Sequence, residues 1–546
     1  MLILFVFSVA FTPNLEAAPH RAPTPIRDIY TILFVLDGCR GDIFYHLLDR
    51  GELPNIQRWI VAPGVRFNEA ITVFPSATVN AYQSMVSGLF PAHAGIPYLT
   101  WLQRKPLRVH EFMSLRGPAH LNASFRNFYL SPRGATRRST SLYDDLSDYP
   151  TAAIYTQFYR HARIRAPLLP IHAAWDVFAR HEYLKLDPLA MHQLKKLFAQ
   201  SLRKIPRFSL VSLLGTDSIG HHLGPTHPDI ATNLKQFDAQ LGDFVDQLHQ
   251  RELWDRTYIV ITSDHGMHAL QGMFDLPRLL AQHGLHLLRH PRYRRANVFV
   301  GARGISTATM TLRGARGWRI PITLAELRAY PVANHGESTR RNSAKGALRG
   351  RLHPALPVEG ATRAPEIDVV DLLRTDPHVE LLLVRDGDRV RVWRGMQEGM
   401  LQQHRTPSHT LYSYDARRDD PLQLRRYAPL RKFLHGQALP ADVWNRLLAH
   451  TQTPGIVPGL AHIFSDGRVG DIVVIADPAF DFFQDKRGTH GTAHREDMHV
   501  PLVMRGPGLA PAVRDAAQVT DLYPTMQRWF GLPQRLDLID GRPLFE

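Results

Sequence analysis

Acidic and histidine side chains follow short apolar runs at four places in the sequence. They are Asp37 in LFVLDGCRGD, Asp217 with His221 and His222 in GTDSIGHHLGP, Asp264 with His265 in ITSDHGM, and His490 in RGTHGTAHRED with His494 and His499 behind it. Carboxylates and neutral imidazoles are good zinc ligands, and oxygen-rich sites also suit manganese. One such cluster is usually an ordinary turn, but four in one chain predict a metal site.

A hydroxyl-rich stretch, FPSATVNAYQSMVSGLFPAHAGI (residues 74–96), lies between the first and second of these clusters. It offers the hydroxyls of Ser76, Thr78 and Ser84 as candidate nucleophiles that a metal ion could activate. By itself, the stretch is better explained as a Ser/Thr-rich loop that enters an ordinary helix. Its interpretation therefore depends on the metal-ligand clusters.

The apolar runs before the clusters have the composition of buried parallel strands. They are TILFVLDG (31–38), FSLVSLLGTDS (208–218), TYIVITSDHGM (257–267), DIVVIADPAF (471–480) and VPLVMRGPGL (500–509). Segments with helical periodicity lie between them, at residues 189–205 and 232–253. This alternation predicts an α/β sandwich with a mainly parallel central sheet. Open sheets of this class build their sites at the carboxyl ends of the strands, which is where the clusters stand.

The middle of the chain, about residues 290–455, is richer in Arg, Gly and Pro. Its VELLLVRDGDRVRVWRG stretch (379–395) reads as two strands joined at the Asp-Gly-Asp turn. Its NHGESTRRNS stretch (334–343) reads as a polar loop, in which His335 is a solvated residue. We interpret this region as an insertion that caps the core.

Length and composition describe a globular protein. The chain has 546 residues, of which 44% are hydrophobic and 21% charged, so we expect one large domain with insertions or two domains. The formal net charge of +15 suits anionic partners such as phosphate esters or an anionic membrane surface, although the Arg residues are scattered rather than clustered. The single cysteine, Cys39, excludes an internal disulfide.

The N-terminal sequence MLILFVFSVAFTPNLEAAPH has about ten apolar residues followed by a small-residue stretch. This pattern is typical of a signal peptide, although the usual basic start is missing. We therefore predict that residues 1–20 direct export to the periplasm or the cell exterior, with the cytoplasm as the alternative if they are not a signal. No later segment has the uninterrupted apolar length of a transmembrane helix.

The order of the motifs carries a family resemblance. The series D-G, P-S-x-T…G-L-x-P-x-x-x-G-I, D-S-x-G-H-x-x-G-P, S-D-H-G-M and T-H-G resembles the alkaline phosphatase superfamily, and most of all its type I phosphodiesterase / nucleotide pyrophosphatase branch. The resemblance implies an alkaline-phosphatase-like sandwich. Its catalytic core would comprise residues 28–290 and 456–546, and residues 291–455 would form the inserted cap.

The resemblance also implies a site with two divalent metal ions, zinc or alternatively manganese. Asp217, His221 and His490 would hold one ion. Asp37, Asp264 and His265 would hold the other. Thr78 occupies the nucleophile position and would also contact metal, so a phosphothreonine intermediate would form and then be hydrolysed. The positive end of the helix that starts near Thr78 would favour the arriving phosphate.

One departure from the family pattern concerns substrate binding. Some phosphodiesterases of this branch place an Asn about twenty residues after the nucleophile, but this region reads GIPYLTWLQR (95–104) and has no Asn. Asn80 is nearer, at the wrong spacing. Thr100 and Arg104 are the predicted substitutes for that contact, with Gln103 or a backbone N–H as alternatives.

These observations predict a metal-dependent hydrolase that acts on a small-molecule phosphate diester or nucleotide pyrophosphate, with no specific nucleic-acid binding. A phosphomonoesterase of the same fold is the main alternative. A headgroup phosphotransferase and a metal-free binding protein remain lesser alternatives. Sulfatase activity is disfavoured because it needs Cys or Ser in a C/S-x-P-x-R context, whereas the nucleophile position is Thr and Cys39 lies in DGCRGD.

Overall fold

The structure, a computed structural model, describes residues 26–111, 140–156, 158–166, 180–288, 296–302, 305–332, 365–406, 410–482 and 486–546. The segment 1–20, interpreted above as a signal, and the loop 334–343 with His335 lie outside the described residues. Among the helices that are described, none has both the length and the apolar character needed to cross a membrane.

The strands of the described residues follow one another in this order: β1 (Tyr30–Leu36), β2 (Val65–Ile71), β3 (Thr100–Arg104), β4 (Leu107–Glu111), β5 (Thr151–Ile154), β6 (Ile164–Ala166), β7 (Phe208–Leu213), β8 (Thr257–Thr262), β9 (His268–Ala269), β10 (Gly272–Met273), β11 (Val298–Ala302), β12 (Thr307–Leu312), β13 (Tyr330–Pro331), β14 (Glu366–Ile367), β15 (Val379–Asp386), β16 (Arg389–Arg394), β17 (Gln397–Arg405), β18 (Thr410–Asp415), β19 (Leu439–Pro440), β20 (Ile472–Ala476), β21 (Phe480–Asp481), β22 (Gly488–Thr489), β23 (Leu502–Arg505) and β24 (Ala512–Gln518).

The α-helices of the same residues are α1 (Gly41–Asp49), α2 (Pro54–Ile56), α3 (Thr78–Ser87), α4 (Pro91–Ala94), α5 (Leu142–Asp145), α6 (Leu186–Phe198), α7 (Gly215–Leu223), α8 (Pro228–Gln250), α9 (Leu276–Gln282), α10 (Leu324–Arg328), α11 (Val369–Arg374), α12 (Ala441–Leu448), α13 (Ile456–Ala461), α14 (Arg495–Met498) and α15 (Leu522–Phe530). Single turns of 3₁₀ helix and one turn of π-helix, Gln57–Val61, join several of them.

The first eight-stranded sheet has the order β24-β2-β23-β8-β1-β7-β5-β6. Every neighbouring pair is parallel except the two pairs that β23 forms with β2 and β8, which confirms the predicted mainly parallel sheet. All residues of β1, β7 and β8 are buried, as expected of strands covered on both faces. Because these three strands are adjacent and parallel, the residues that follow them meet at one edge of the sheet.

Helix α8 covers one face of this sheet together with α1 and α6. Its buried residues include the apolar side chains that repeat with a helical period, which are Leu234, Phe237, Leu241, Phe244, Val245 and Leu248. The ring of Phe237 packs edge-on against Phe34 of β1, with the centroids 5.4 Å apart. The opposite face is covered by α3, α15 and the second sheet, whose side chains join one hydrophobic core with those of β1.

The second eight-stranded sheet is antiparallel throughout and has the order β11-β12-β20-β15-β16-β17-β18-β19. It contains the predicted hairpin, in which β15 and β16 are joined at Gly387, a residue with a positive φ of 64°. The segment 291–455 supplies every strand of this sheet except β20.

Strand β20 corrects one expectation from the sequence. The run DIVVIADPAF (471–480) is predicted above to be a strand of the parallel sheet, but β20 lies between β12 and β15 and is antiparallel to both. All five residues of β20 are buried. A continuous apolar run has the same appearance in the centre of either kind of sheet, so the pattern could not distinguish them. The run VPLVMRGPGL (500–509) does enter the first sheet, but as its antiparallel strand β23.

Candidate active site

The ends of β1 and β8 are tied to each other beside the first acidic cluster. Asp37 directly follows β1 and is 3% exposed, and the N–H of Gly38 donates to Asp264 Oδ1 at 3.1 Å. Gly38 has a φ of +70°, and a Cβ there would lie 2.8 Å from the Cα of Asp217. The glycine therefore lets the first turn of α7 approach the end of β1 closely.

Helix α7 carries Asp217 and His221 one turn apart. His221 Nε2 lies 3.2 Å from Asp217 Oδ1, which is the same-side arrangement expected from the four-residue spacing. Gly220 lies between them, where a Cβ would come within 2.5 Å of Met267 Sδ. The DHGM loop can therefore pack directly against this helix.

The three histidines predicted as metal ligands each use Nδ1 to bond a backbone carbonyl. Nδ1 of His221 bonds the carbonyl of Gly488 at 2.7 Å, that of His265 bonds its neighbour's carbonyl at 2.9 Å, and that of His490 bonds the carbonyl of Ser76 at 2.7 Å. Because a carbonyl oxygen can only accept, each Nδ1 carries the proton. Each Nε2 is thus left with a lone pair that can bind a metal.

These side chains form two groups of ligand atoms. In each group, one atom from every residue lies within 4.8 Å of the others: Asp217, His221 and His490 in the first, and Asp37, Asp217 and His265 in the second. Asp217 belongs to both groups. The rings of His265 and His490 stack with their centroids 3.6 Å apart, so the two groups adjoin.

Asp264 lies beside the second group. Its Oδ1 accepts the N–H groups of Gly38 and His265, while its Oδ2 lies 3.4 Å from His265 Nε2. All six predicted ligand residues are therefore brought to one place. The difference from the predicted assignment is that Asp217, rather than Asp264, completes the second group within 4.8 Å.

Three oxygen atoms of these carboxylates have no hydrogen-bond partner among the described residues. Asp37 Oδ1, Asp217 Oδ1 and Asp264 Oδ2 are buried and accept no hydrogen bond within the described ranges. Burial, followed by the charge of Asp264, raises the pKa of Asp37 well above its usual range, and burial also raises the pKa of Asp264. Unpaired buried oxygens that face imidazole lone pairs are the donor set that a divalent cation requires, so these residues fit metal ions.

Neighbouring charges act differently on Asp217 and His490. Burial by itself would raise the pKa of Asp217, but the adjacent histidines, led by His221, lower it. Burial lowers the pKa of His490 well below its usual range, and the neighbouring imidazoles lower it further. An ionised carboxylate and a neutral imidazole are the protonation states in which each binds metal.

Thr78 is the first residue of α3 and lies at the second ligand group. Its Oγ1 is 3.2 Å from His265 Nε2, and the hydrogen bond between them is partly buried. Ser84 lies inside the same helix, where it is buried and its hydroxyl has no hydrogen-bond partner among the described residues. Of the three candidate hydroxyls, only that of Thr78 contacts a ligand residue.

Ser76, the first of the three candidate hydroxyls, bonds the loop that carries His490. Its Oγ donates to the carbonyl of Thr492 at 2.8 Å and accepts the N–H of Gly491 at 3.1 Å, while its own carbonyl accepts from His490. Ser76 therefore fastens the loop before Thr78 to the loop that carries His490. No sequence pattern signals such a contact, since the partners are more than 400 residues apart.

The remaining histidines of the clusters have partners outside the ligand groups. His222 is exposed and bonds the carbonyl of Ser218, and His494 bonds Glu380. His499 bonds the carbonyl of Asn68. Neither ligand group includes any of these three.

Two further histidines from the sequence motifs pair with buried carboxylates. His93 bonds Asp540 at 2.8 Å, and His268 bonds Asp497 at 2.7 Å. His268 follows the DHGM motif directly but belongs to neither ligand group.

The residues predicted to bind substrate lie in the β3–β4 hairpin. Arg104 donates to Asp471 Oδ1 at 2.6 Å and to the carbonyl of Trp318 at 2.9 Å, and its side chain is 10% exposed. Thr100 is 6% exposed. Asn80 donates to the carbonyl of Ile96 at 2.7 Å and is fully buried.

Lys486 is a cation near the ligand groups that the sequence motifs do not identify. The residue is half-buried. Burial lowers the pKa of Lys486, whereas the negative charges of Asp481 and Asp217 act to raise it. Its positive charge also acts on His490. The only sequence signal is its position four residues before His490.

Comparison with known proteins identifies relatives of the fold and sequence. The family model described as type I phosphodiesterase / nucleotide pyrophosphatase matches residues 31–367, more than half of the chain. The ectonucleotide pyrophosphatase/phosphodiesterase family member 5 of Homo sapiens is 25% identical over 239 residues, which cover 43% of this chain and 44% of the relative. The Bis(5'-adenosyl)-triphosphatase enpp4 of Xenopus laevis is 23% identical over 273 residues, covering 48% of this chain and 52% of the relative.

The match to these two curated relatives thus spans about half of their length. Among solved structures, murine ectonucleotide pyrophosphatase / phosphodiesterase 5 superposes with a TM-score of 0.51 at 15% identity, over 92% of this chain and 95% of that chain. The human protein of the same name gives a TM-score of 0.50 at 16% identity, over 93% and 96%. At this low sequence identity, the similarity to these two structures supports a common fold and nothing more specific.

Proposed function

The chain belongs to the type I phosphodiesterase / nucleotide pyrophosphatase family, and we propose that it is a metal-dependent hydrolase of phosphate diesters or nucleotide pyrophosphates with Thr78 as its nucleophile. The observation that carries the proposal is the position of Thr78 Oγ1, 3.2 Å from His265 Nε2 and at the edge of the two ligand groups. The sequence motifs and the geometry support the same residues independently.

The cofactor in this proposal is a pair of divalent cations. We propose zinc because the site combines carboxylate and imidazole ligands. Asp217, His221 and His490 would hold one ion, and Asp37, Asp264 and His265 would hold the other, with Asp217 near both. When bound, such ions neutralise phosphoryl oxygens and make a hydroxyl easier to deprotonate.

The residues of the chain perform the remaining steps. The oxygen of Thr78 forms a bond to phosphorus as its proton leaves to water, and the bond to the leaving alcohol or phosphate breaks with the electron pair going to that group. Water then attacks the phosphothreonine, and the bond between phosphorus and Oγ1 breaks to restore the hydroxyl. The amino end of α3, at which Thr78 stands, favours the anionic phosphoryl group throughout.

A phosphomonoesterase remains the second candidate because the Asn with which some members of the branch steady a phosphate oxygen of a diester is missing from residues 95–104.

Replacement of Thr78 tests the nucleophile. We expect Thr78→Ala to lower kcat on a bis-aryl phosphate by at least about 10³-fold, and Thr78→Ser to retain measurable turnover because it keeps the hydroxyl. Wild-type protein quenched in acid during turnover should contain one phosphate on Thr78, detected by peptide mass spectrometry. Ser84→Ala, which removes a hydroxyl elsewhere in α3, serves as the control. Full activity in Thr78→Ala would refute the assignment.

A substrate panel decides between the two candidate activities. The purified protein is assayed on a bis-aryl phosphate, an aryl diester of a nucleoside monophosphate and an aryl phosphate monoester, each with zinc or with a chelator. We expect a higher kcat/KM on the diesters and loss of activity on chelation. A kcat/KM far higher on the monoester would favour the phosphomonoesterase, and full activity after exhaustive chelation would refute metal dependence.

We also propose that the protein acts outside the cytoplasm, on the strength of the apolar N-terminal segment and the small residues that follow it. The N-terminal sequence of the protein recovered from the native cells tests this, because cleavage near residue 18 is expected. A mature protein that keeps residue 1 and fractionates with the cytoplasm would contradict it.

A further inference from the structure

Asp497 is a fully buried carboxylate behind the two ligand groups. It lies in α14, and both of its oxygens are engaged. Its Oδ1 bonds His268 Nδ1 at 2.7 Å, while its Oδ2 accepts the N–H of Thr492 at 2.9 Å and the hydroxyl of Thr492 at 2.7 Å. Its backbone carbonyl accepts the N–H of Gly266 at 2.8 Å. Neither ligand group contains it.

These partners belong to two different ligand loops. Gly266 and His268 lie on the loop after β8, which carries Asp264 and His265. Thr492 is two residues after His490. One residue therefore bonds both loops, and the two ligand histidines that they carry stack with centroids 3.6 Å apart.

The contact between α14 and the loop after β8 leaves little freedom. A Cβ on Gly266 would come within 2.0 Å of the carbonyl oxygen of Glu496, so the backbones themselves are in contact. The network also extends beyond Asp497. His268 Nε2 lies 3.3 Å from Ser306 Oγ, and the N–H of Ser306 donates to the carbonyl of His490 at 2.8 Å. Asp497 is thus connected to the His490 loop in two ways, directly through Thr492 and indirectly through His268 and Ser306.

We propose that Asp497 is a positioning residue that sets the separation of the two metal-ligand groups by joining the His265 loop to the His490 loop. The proposal rests on the metal site of the function proposed above. Asp497 does not bind metal or substrate. It acts by fixing the backbone from which His265 and His490 extend, and residues that orient metal ligands commonly affect affinity as well as activity.

The test uses zinc alone as the probe, so that it does not depend on turnover. An amide at this position has one oxygen acceptor in place of two, so the side chain of Asp497→Asn can accept from His268 or from Thr492 but not from both. It keeps both contacts only if His268 moves its proton from Nδ1 to Nε2. We expect the full-length variant to remain folded and to bind its second equivalent of zinc about 10- to 100-fold more weakly, measured by competition with a chromophoric chelator. We also expect kcat to fall more than KM rises.

Asp238→Asn is the matched control. Asp238 is also buried, at 3% exposure, and accepts the N–H groups of Asn55 and Ile56, but it lies in α8 on the far side of the sheet. Its replacement should lower the free energy of unfolding and leave zinc affinity unchanged. If Asp238→Asn weakened zinc binding as much as Asp497→Asn, the effect would be one of general stability, and the proposal would be wrong.

A second pair of variants covers the case in which Asp497→Asn does not fold. Thr492→Val removes the hydroxyl bond to Asp497, whereas Thr492→Ser keeps it. We expect weaker zinc binding in the valine variant and wild-type binding in the serine variant. Equal affinity in both would overturn the proposal. Wild-type protein that binds no zinc would instead contradict the proposed function, so the two failures are distinguishable.

Discussion

The three histidines proposed as metal ligands are each held by a single backbone carbonyl. For His265 the acceptor is the next residue in the chain, whereas for His221 and His490 it lies in a distant loop. The residue type makes a histidine a candidate ligand, but the hydrogen bond at Nδ1 decides which nitrogen faces the cluster. His222, next to His221, bonds a carbonyl on its own helix and is exposed. Chain neighbours can thus differ completely in function.

Replacement of Arg104 separates a structural role from the substrate contact predicted from sequence. Arg104 pairs with Asp471, whose side chain is 0% exposed, and removal of one partner leaves a buried charge. We expect Arg104→Met to lower the free energy of unfolding by about 3 kcal/mol. The kcat/KM of the folded variant should remain within about threefold of wild type. Urea denaturation and steady-state kinetics measure the two effects.

Arg108→Met is the control for this experiment, since Arg108 is exposed in the same hairpin. Arg108→Met should change neither the free energy of unfolding nor kcat/KM. A large loss of kcat/KM in Arg104→Met with unchanged stability would support substrate binding by Arg104 instead.

At the scale of elements, the site is formed where β1, β7 and β8 end beside α7. The strands are adjacent and parallel, so Asp37 and Asp264 emerge at the same edge as α7. The close packing of β1 against α7 depends on Gly38, which combines a positive φ with a missing side chain.

The substitution Gly38→Ala tests this packing. Its Cβ would lie 2.8 Å from the Cα of Asp217, so α7 would have to shift and take Asp217 with it. We expect at least about a tenfold loss of zinc affinity, as for other residues that orient ligands. Chelator competition measures it.

Gly51→Ala is the matched control because Gly51 has a similar φ of +74°, while a Cβ added there would meet no described atom within 4 Å. It should cost about 1 kcal/mol of stability from the left-handed backbone alone and leave zinc affinity unchanged. Equal zinc affinities in the two variants would show that the approach of β1 to α7 does not control the site.

At the scale of the molecule, the two sheets share one hydrophobic core. It contains Leu33 and Val35 of the first sheet together with Leu383 and Val473 of the second. Strand β20, which follows the segment 291–455 in the chain, pairs with β12 and β15 of that segment, and we expect the two sheets to unfold together. His462 is buried near this core, after α13, and stacks on Phe90 with ring centroids 4.6 Å apart.

The burial of His462 predicts that acid destabilises the whole fold. Burial, followed by the charge of His93, lowers the pKa of His462 to about 3, while Asp540 acts in the opposite direction. Its Nε2 has no hydrogen-bond partner in the described part of the chain. Between pH 6.5 and about 3, the unfolded chain binds a proton that the folded chain does not, so stability falls as the pH falls.

We expect His462 to make the free energy of unfolding about 2 kcal/mol lower at pH 5 than at pH 7.5. The variant His462→Phe, which keeps the stacking on Phe90, should therefore show a smaller difference in unfolding free energy between the two pH values, measured by urea denaturation with zinc removed. His192→Phe, at an exposed position of α6, is the control and should keep the wild-type pH dependence. An unchanged difference in His462→Phe would contradict the prediction.

The sequence by itself determined the class of the fold and the residue types from which a metal site could be built. Three of the five apolar runs that end in Asp or Gly, residues 31–38, 208–218 and 257–267, contain the parallel strands β1, β7 and β8, and the period of residues 232–253 indicated the face of α8 that is buried. These patterns are local: alternation, helical period and residue type are set within about twenty residues of chain. The motif order added the family and, with it, the predicted role of Thr78.

Only the tertiary structure decided which distant groups meet. It placed β20 in the antiparallel sheet and made Asp217 a member of both ligand groups. It also joined the Thr78 loop to the His490 loop through Ser76, and the His265 loop to the His490 loop through Asp497. Each of these facts depends on contacts between residues far apart in the chain, and such contacts leave no periodic pattern. A buried carboxylate such as Asp497 has the same appearance in the sequence as a solvated one, because its burial is a property of the folded molecule.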